Sequence, residues 1–132
     1  MGKTVLITGA TSGFGKATAE LFVENGWKVI LTGRRKERLE ELQLTLGASS
    51  VYIAAFDVRD REQTSLAVKA ILTEFQDIDI LVNNAGLALG LSSAHEADLD
   101  QWEVMVDTNI KGLLYMTRLV LPGMVERGRG HV

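Results

Sequence analysis

Thr4-Val5-Leu6-Ile7-Thr8-Gly9-Ala10-Thr11-Ser12-Gly13-Phe14-Gly15 is the stretch on which the reading of the fold turns. Val5, Leu6 and Ile7 make an apolar run too short for a helix and predict a buried strand. Gly9, Gly13 and Gly15 follow at once and let the backbone turn tightly and come close to a ligand. A helix is expected to start near Phe14. Its first N–H groups have no intrahelical partners, and with the helix dipole they offer a site for a pyrophosphate. The spacing is Thr-Gly-x-x-x-Gly-x-Gly, which is not the Gly-x-Gly-x-x-Gly of the general dinucleotide fingerprint. A P-loop is excluded, because five residues separate Gly9 from Gly15 where that motif has four, and Ala17 follows Lys16. Taken alone, the loop also fits an ordinary strand-to-helix turn.

Outward from this stretch the chain alternates. Ala17, Leu21 and Phe22 recur at helical spacing as far as Asn25-Gly26, where Gly26 suits the left-handed residue that ends a helix. Lys28 to Thr32 reads as a second strand ending at Gly33, and Leu39, Leu42 and Leu46 mark a helix that stops at Gly47. Val51 to Ala55 is a third strand, closing on Phe56-Asp57-Val58. Leu66, Ala67, Ala70, Ile71 and Phe75 line a third helix, and Ile80 to Val82 is a fourth strand ending in Asn83-Asn84-Ala85-Gly86. The alternation specifies an α/β fold, a Rossmann-like doubly wound parallel sheet with right-handed crossovers and strand order 3-2-1-4. Ligands bind such sheets beyond the carboxyl ends of the strands where the winding reverses, here between strands 1 and 4.

A loop, Leu87 to Ala97, precedes a long helical pattern from about Asp100 to Arg127. Trp102, Met105, Val106, Asn109, Leu113, Met116, Val120 and Met124 form its main stripe, which Leu114, Tyr115, Leu119 and Leu121 widen. A helix apolar over so much of its girth packs on two sides, so a homo-oligomer formed through residues 100–127 is expected. Pro122 is expected to bend the last turns.

A length of 132 with 46% hydrophobic and 23% charged residues fits one soluble domain, residues 1–132, with a substantial core. The net charge is −3 and no basic cluster is long enough to follow a nucleic-acid backbone, which excludes nucleic acid as the expected partner. The absence of Cys rules out disulfides and thiolate metal sites and suits a cytoplasmic protein. No start resembles a signal peptide and no apolar run is long enough to span a bilayer, so no membrane partner is expected. His95, Glu96, Asp98 and Asp100 are better read as a helix cap than as metal ligands, with Asp98 and Gln101 or Asp100 and Glu103 forming a capping box.

Four positions invite chemistry. An NAD site wants an Asp or Glu at the end of strand 2 for the ribose 2′-hydroxyl, and Gly33 stands there instead. Arg34 and Arg35 follow, two cations set against the local helix dipole, which suits a 2′-phosphate and so NADP. By themselves they also read as solvated residues on a turn. Asp57 suits an adenine amino group or a turn cap. Asn83 and Asn84 end a buried strand at the same crevice. Asn109, a poor helix former among Val106, Ile110 and Leu113 and near Gly112, reads either as a satisfied core polar group or as a functional kink.

Together these residues resemble the short-chain dehydrogenase/reductase family of NAD(P)-dependent oxidoreductases along the whole chain. Thr8-Gly9-Ala10-Thr11-Ser12-Gly13-Phe14-Gly15, Asp57-Val58, Asn83-Asn84-Ala85-Gly86 and Asn109 stand where that family has its cofactor loop, adenine contact, strand-4 motif and catalytic-tetrad asparagine. The resemblance implies that Ser12, Arg34 and Arg35 hold the 2′-phosphate and that Asn84, with Ala85 and Gly86, lies against the ribose and nicotinamide. It also implies that Asn109 breaks its helix so that a carbonyl holds a water of the proton relay. Gly33-Arg34-Arg35-x-Glu37-Arg38-Leu39, Asn83 to Gly90 and Leu121 to Arg127 look like bacterial NADP-dependent 3-hydroxy acid dehydrogenases of the serine-oxidising kind. That likeness implies hydride transfer between NADP and a small-molecule substrate such as L-serine or another 3-hydroxy acid.

Family members carry a Ser and a Tyr-x-x-x-Lys that this sequence lacks, since Tyr52 is followed four residues on by Phe56 and Tyr115 by Leu119. The tyrosine is the family's general acid/base. The chain is therefore expected to bind NADP(H) without turnover, as the cofactor half of an enzyme truncated before the fifth strand. Gly130-His131-Val132 looks like the opening of that strand, which would leave strand 4 a bare edge prone to association. A non-enzymatic NADP-sensing or protein-binding module on the same fold is the alternative, because a fold alone does not fix function.

Overall fold

The computed structural model describes residues 2–132. β1 (Thr4–Thr8), β2 (Lys28–Gly33), β3 (Val51–Ala55) and β4 (Ile80–Val82) form one parallel sheet in the order β3-β2-β1-β4. Alternate residues of β1 serve opposite faces. Val5 and Ile7 pack with Val29, Leu31, Ala19, Leu39 and Leu42, beneath α1 (Gly13–Glu24) and α2 (Lys36–Leu46). Leu6 packs with Ile30, Val68, Ile71, Met116 and Val120, beneath α3 (Arg61–Phe75) and α5 (Leu113–Arg127). Every residue of β1 is buried, and each fully buried Leu, Ile or Val stabilises the fold by roughly 1.5–3 kcal/mol. This is why the central strand reads as an unbroken apolar run.

The strands lie where the sequence puts them, but the helix faces differ. On α1 the sheet side is Gly15 and Ala19, whereas Ala17 and Leu21 face outward. On α3 it is Thr64, Val68 and Ile71, and both Leu66 and Ala70 are exposed. Apolar residues placed off the true stripe had drawn the expected faces round the helix. The α1 helix ends as expected: Gly26 takes φ 78°, and the N–H groups of Gly26 and Trp27 bond back to Val23 and Phe22.

The long helical pattern is three segments. α4 (Leu99–Val106) passes into a π-helical segment, Asp107–Gly112, and then into α5, which runs through Pro122 to Arg127. The expected stripe is buried only in α5, at Met116, Val120 and Met124. α4 buries no residue, and Trp102, Val106 and Leu113 are exposed. The cap of α4 is Asp98, whose carboxylate accepts from the Asp100 N–H at 2.9 Å, so the bond lies nearer than a capping box requires. The expected bare edge of β4 is partly covered: the Leu81 N–H donates to the His131 carbonyl at 2.9 Å, and the His131 N–H donates to Asp79 at 3.0 Å.

Candidate functional site

β1 and β4 are neighbours, so the loops leaving their carboxyl ends meet. The Thr8 hydroxyl oxygen accepts from the backbone N–H groups of Asn84 at 3.1 Å and Ala85 at 2.9 Å. Asn84 Nδ2 returns a bond to the Gly9 carbonyl at 2.9 Å. Gly9, at φ 63°, leaves no room for a side chain, because a Cβ there would stand 2.8 Å from Ala85 Cα. The Ala10 N–H donates to the Thr32 carbonyl at 3.3 Å and ties the loop to β2. Ser12 is the N-cap of α1, but its side chain makes no capping bond and the first turn carries no acidic residue. The positive end of this helix dipole is therefore unneutralised.

These loops wall a cavity of about 420 Å³, within the range of small-ligand sites. Gly9, Thr11, Ser12 and Phe14 line one side, Arg34, Arg35, Asp57 and Val58 another, and Asn84, Ala85 and Gly86 a third. Phe14 is 88% exposed, an apolar ring left over the mouth. Of the other residues expected at the site, Ala10 is buried behind the loop, and Gly13 takes φ 58° at the helix start. Gly15 packs against the Asn84 amide and the Gly9 carbonyl. Asn109 does not line the cavity and is no core group, being exposed. Its Oδ1 accepts from the Leu87 N–H and its Nδ2 donates to the Leu87 carbonyl, both at 2.8 Å, so it clamps the loop after β4.

Arg34 and Arg35 are exposed, and among the described residues neither has an ion-pair partner. Arg38, overlooked in the sequence, lines the same wall; its place one helical turn beyond Arg34 was the available signal. Thr32 and Thr108 were also overlooked. Their hydroxyls are buried on the cavity wall with no hydrogen-bond partner among the described residues. Asp57 caps the turn leading into α3, its Oδ1 accepting from the Arg59 N–H at 3.0 Å, while the cap of α3 itself is Asp60, which accepts from the Gln63 N–H at 3.0 Å. Partial burial pushes the Asp57 carboxyl upward, but the hydrogen bonds and charge of Arg59, with Arg34 adding, hold it below the usual carboxylate range. It is an anion at neutral pH.

A glycine loop stapled to Asn84-Ala85, with free arginines after β2, is the arrangement of a dinucleotide site at the reversal point of the sheet. The chain matches the family model described as short chain dehydrogenase over residues 3–132. It belongs to the short-chain dehydrogenase family. Among its relatives, an NADP-dependent 3-hydroxy acid dehydrogenase of Salmonella typhi is 59% identical over 128 residues, which are 97% of this chain and 51% of that protein. A serine 3-dehydrogenase of Rhizobium radiobacter is 58% identical over 96% of this chain and 51% of its own length. The crystal structure of serine dehydrogenase from Escherichia coli superposes with a TM-score of 0.92 at 56% identity, covering 97% of this chain and 59% of that one. The closed form of serine dehydrogenase complexed with NADP+ gives 0.88 at 56% identity, over 97% and 51%. The chain spans about half the length of the curated relatives it matches.

In this short-chain dehydrogenase chain the Thr8 staple has a measurable weight. Thr8→Val keeps the shape but removes the acceptor of two N–H groups, each of which costs about 1–3 kcal/mol when left unmade in a buried place. Thermal unfolding followed by circular dichroism is expected to show a melt lowered by several degrees, with Thr8→Ser close to the parent. Equal melts for Val and Ser would show that the staple contributes nothing.

Proposed function

We propose that the chain is the NADP(H)-binding part of a cytoplasmic oxidoreductase that transfers hydride between NADP and a small hydroxy or oxo compound, such as a 3-hydroxy acid or L-serine. The observation that carries this is the pair Arg34 and Arg35, without an ion-pair partner among the described residues, at the cavity wall directly after Gly33, where a 2′-hydroxyl reader would need an acid. The cradle fits such a cofactor. Gly9 and Gly15 leave no space for a Cβ where the backbones of the two loops meet, and unneutralised N–H groups open α1. The names of the relatives point the same way. When bound, the nicotinamide supplies the hydride chemistry.

In this reading Ser12, Arg34 and Arg35 hold the 2′-phosphate, the first turn of α1 takes the pyrophosphate, and Asp57 and Val58 hold the adenine. Asn84, Ala85 and Gly86 lie along the ribose and nicotinamide. Asn109 sits in the π-helical segment, and irregular helical turns of this kind free main-chain groups for function. Its carbonyl is assigned to a water of the proton relay. Because the sequence contains no Tyr-x-x-x-Lys, the 132-residue chain binds without turning over.

Fluorescence titration with NADPH and with NADH tests the binding, and the expected result is tighter binding of NADPH. Steady oxidation of NADPH by the pure chain with any aldehyde or 3-oxo acid would overturn the inactive reading. The exposed Val106, Ile110, Leu114, Leu121 and Val125 recur along α4, the π-helical segment and α5 and support a homo-oligomer formed through residues 100–127. A monomer by light scattering would contradict it.

A further inference from the structure

Gly112 closes the π-helical segment with ordinary helical angles, φ −58° and ψ −43°, so its backbone does not call for glycine, and alanine there would favour the helix. What calls for glycine is the neighbour. A Cβ at position 112 would stand 2.8 Å from Val58 Cγ2, 3.0 Å from Val58 Cβ and 3.4 Å from the Val58 carbonyl, and both residues are buried. Val58 sits in a turn that is tied on each side. The Phe56 N–H donates to the Gly33 carbonyl at 3.0 Å, the Asp57 carbonyl accepts from the Asp60 N–H at 3.0 Å and from the Thr64 hydroxyl at 3.3 Å, and Arg59 Nη2 donates to the Asp57 carboxylate at 2.7 Å. The π-helical segment is the freer partner, since Asn109, Ile110 and Lys111 face solvent. Three residues before Gly112, Asn109 holds both the N–H and the carbonyl of Leu87, and a Cβ at Gly86 would stand 3.3 Å from its Oδ1. Val58 lies on one wall of the cavity, Gly86 and Leu87 on another.

We propose that Gly112 is a positioning residue: by letting the π-helical segment sit down on Val58, it brings Asn109 onto Leu87 and so fixes the wall that carries Asn84 to Leu87 against the wall that carries Asp57 and Val58. The inference rests on reading the cavity as the NADP(H) site. In that reading the adenosine half lies on the tied turn, and the nicotinamide half lies along the wall that the segment holds. A methyl at position 112 lifts the segment and not the turn, and it loosens Leu87. Binding must then also order the loop, which weakens a ligand that reaches this wall and spares one that does not. The turn and the segment meet through charge as well, because Asp107 at the head of the segment favours the charged form of Arg59.

The test follows the Leu87 amide by hydrogen exchange in NMR, without ligand. It also measures binding of NADPH and of adenosine 2′,5′-bisphosphate, which lacks the nicotinamide half, by isothermal titration calorimetry of the 132-residue chain. In Gly112→Ala the Leu87 amide is expected to exchange about tenfold faster, and NADPH to bind about tenfold more weakly, while the bisphosphate stays within about twofold. Asn109→Ala is expected to free the same amide, and adding Gly112→Ala to it should change nothing further. Val58→Ala removes Cγ2, the atom nearest the new methyl, so combining it with Gly112→Ala should return the Leu87 amide to the rate of Val58→Ala alone. An unchanged Leu87 amide in Gly112→Ala, a pair that does not restore it, or equal losses for both ligands overturns the inference and leaves the cofactor reading standing. Should Gly112→Ala fail to fold by circular dichroism, the pair decides, and a pair that also fails to fold overturns the inference. A parent that binds neither ligand overturns the cofactor reading, and the Leu87 amide then decides the inference by itself.

Discussion

Gly15→Ala is expected to abolish NADPH binding in titration and to lower stability by about 1–3 kcal/mol, the usual cost of forcing a methyl into a packed place. Gly15 has ordinary helical geometry, so its reason lies in what surrounds it and not in its backbone angles. A Cβ there would meet the Asn84 amide, stand 2.5 Å from the Gly9 carbonyl and 3.0 Å from Ala10 Cα. Two of these partners are main chain and cannot swing aside. The third is the amide that bonds Gly9, so relief would come by breaking the bond between the two loops. Gly13→Ala is the contrasting variant. Position 13 has φ 58° but open space around it, so alanine costs roughly 1–2 kcal/mol of backbone strain and should leave a site that still binds. If both variants bound NADPH like the parent, the close approach at Gly15 would not matter to the site.

Arg34→Ala and Arg35→Ala are each expected to weaken NADPH binding by about ten- to a hundredfold, from charge-assisted bonds of roughly 1.5–3 kcal/mol, and to leave NADH within about twofold. Stability should not change, because among the described residues neither guanidinium has an ion-pair partner to lose. The NADPH affinity of the parent should fall as salt rises, and the double variant should show little salt dependence. Equal losses for both nucleotides would mean that these arginines do not meet the 2′-phosphate. Arg38→Ala, on the same wall, measures whether the third cation shares the task.

The strands were legible because an apolar run of three to five residues bounded by Gly or Asn is too short for a helix and fits a buried strand, and the sheet order followed from the alternation of these runs with helices. Helix faces were less legible. Leu66 is as apolar as Ile71, and the sequence does not say which of two overlapping stripes meets the sheet, whereas in the fold Ile71 is buried and Leu66 points to solvent. Within the Asp100–Arg127 pattern the break was signalled by Asn109, which stands in the π-helical segment, whereas the close fit of Gly112 on Val58, where a Cβ would stand 2.8 Å from Val58 Cγ2, depends on residues far apart in the chain. At the site, glycine spacing and the Asn83 to Gly86 run were readable as local motifs. Arg59, Thr32 and Thr108 were not, because an ion-pair partner or an orphaned hydroxyl is a property of the assembled cavity.

The bonds that close the cavity floor join residues 75 to 77 positions apart, from the first strand to the end of the fourth. Long-range closure of this kind comes late and slowly, because the chain entropy must be given up before the contact forms. A partly folded chain holding only the first three strands has helices and much of a core but no nucleotide site. Recovery of cofactor binding during refolding therefore clocks the docking of the fourth strand, and should lag behind the return of the far-ultraviolet helical signal.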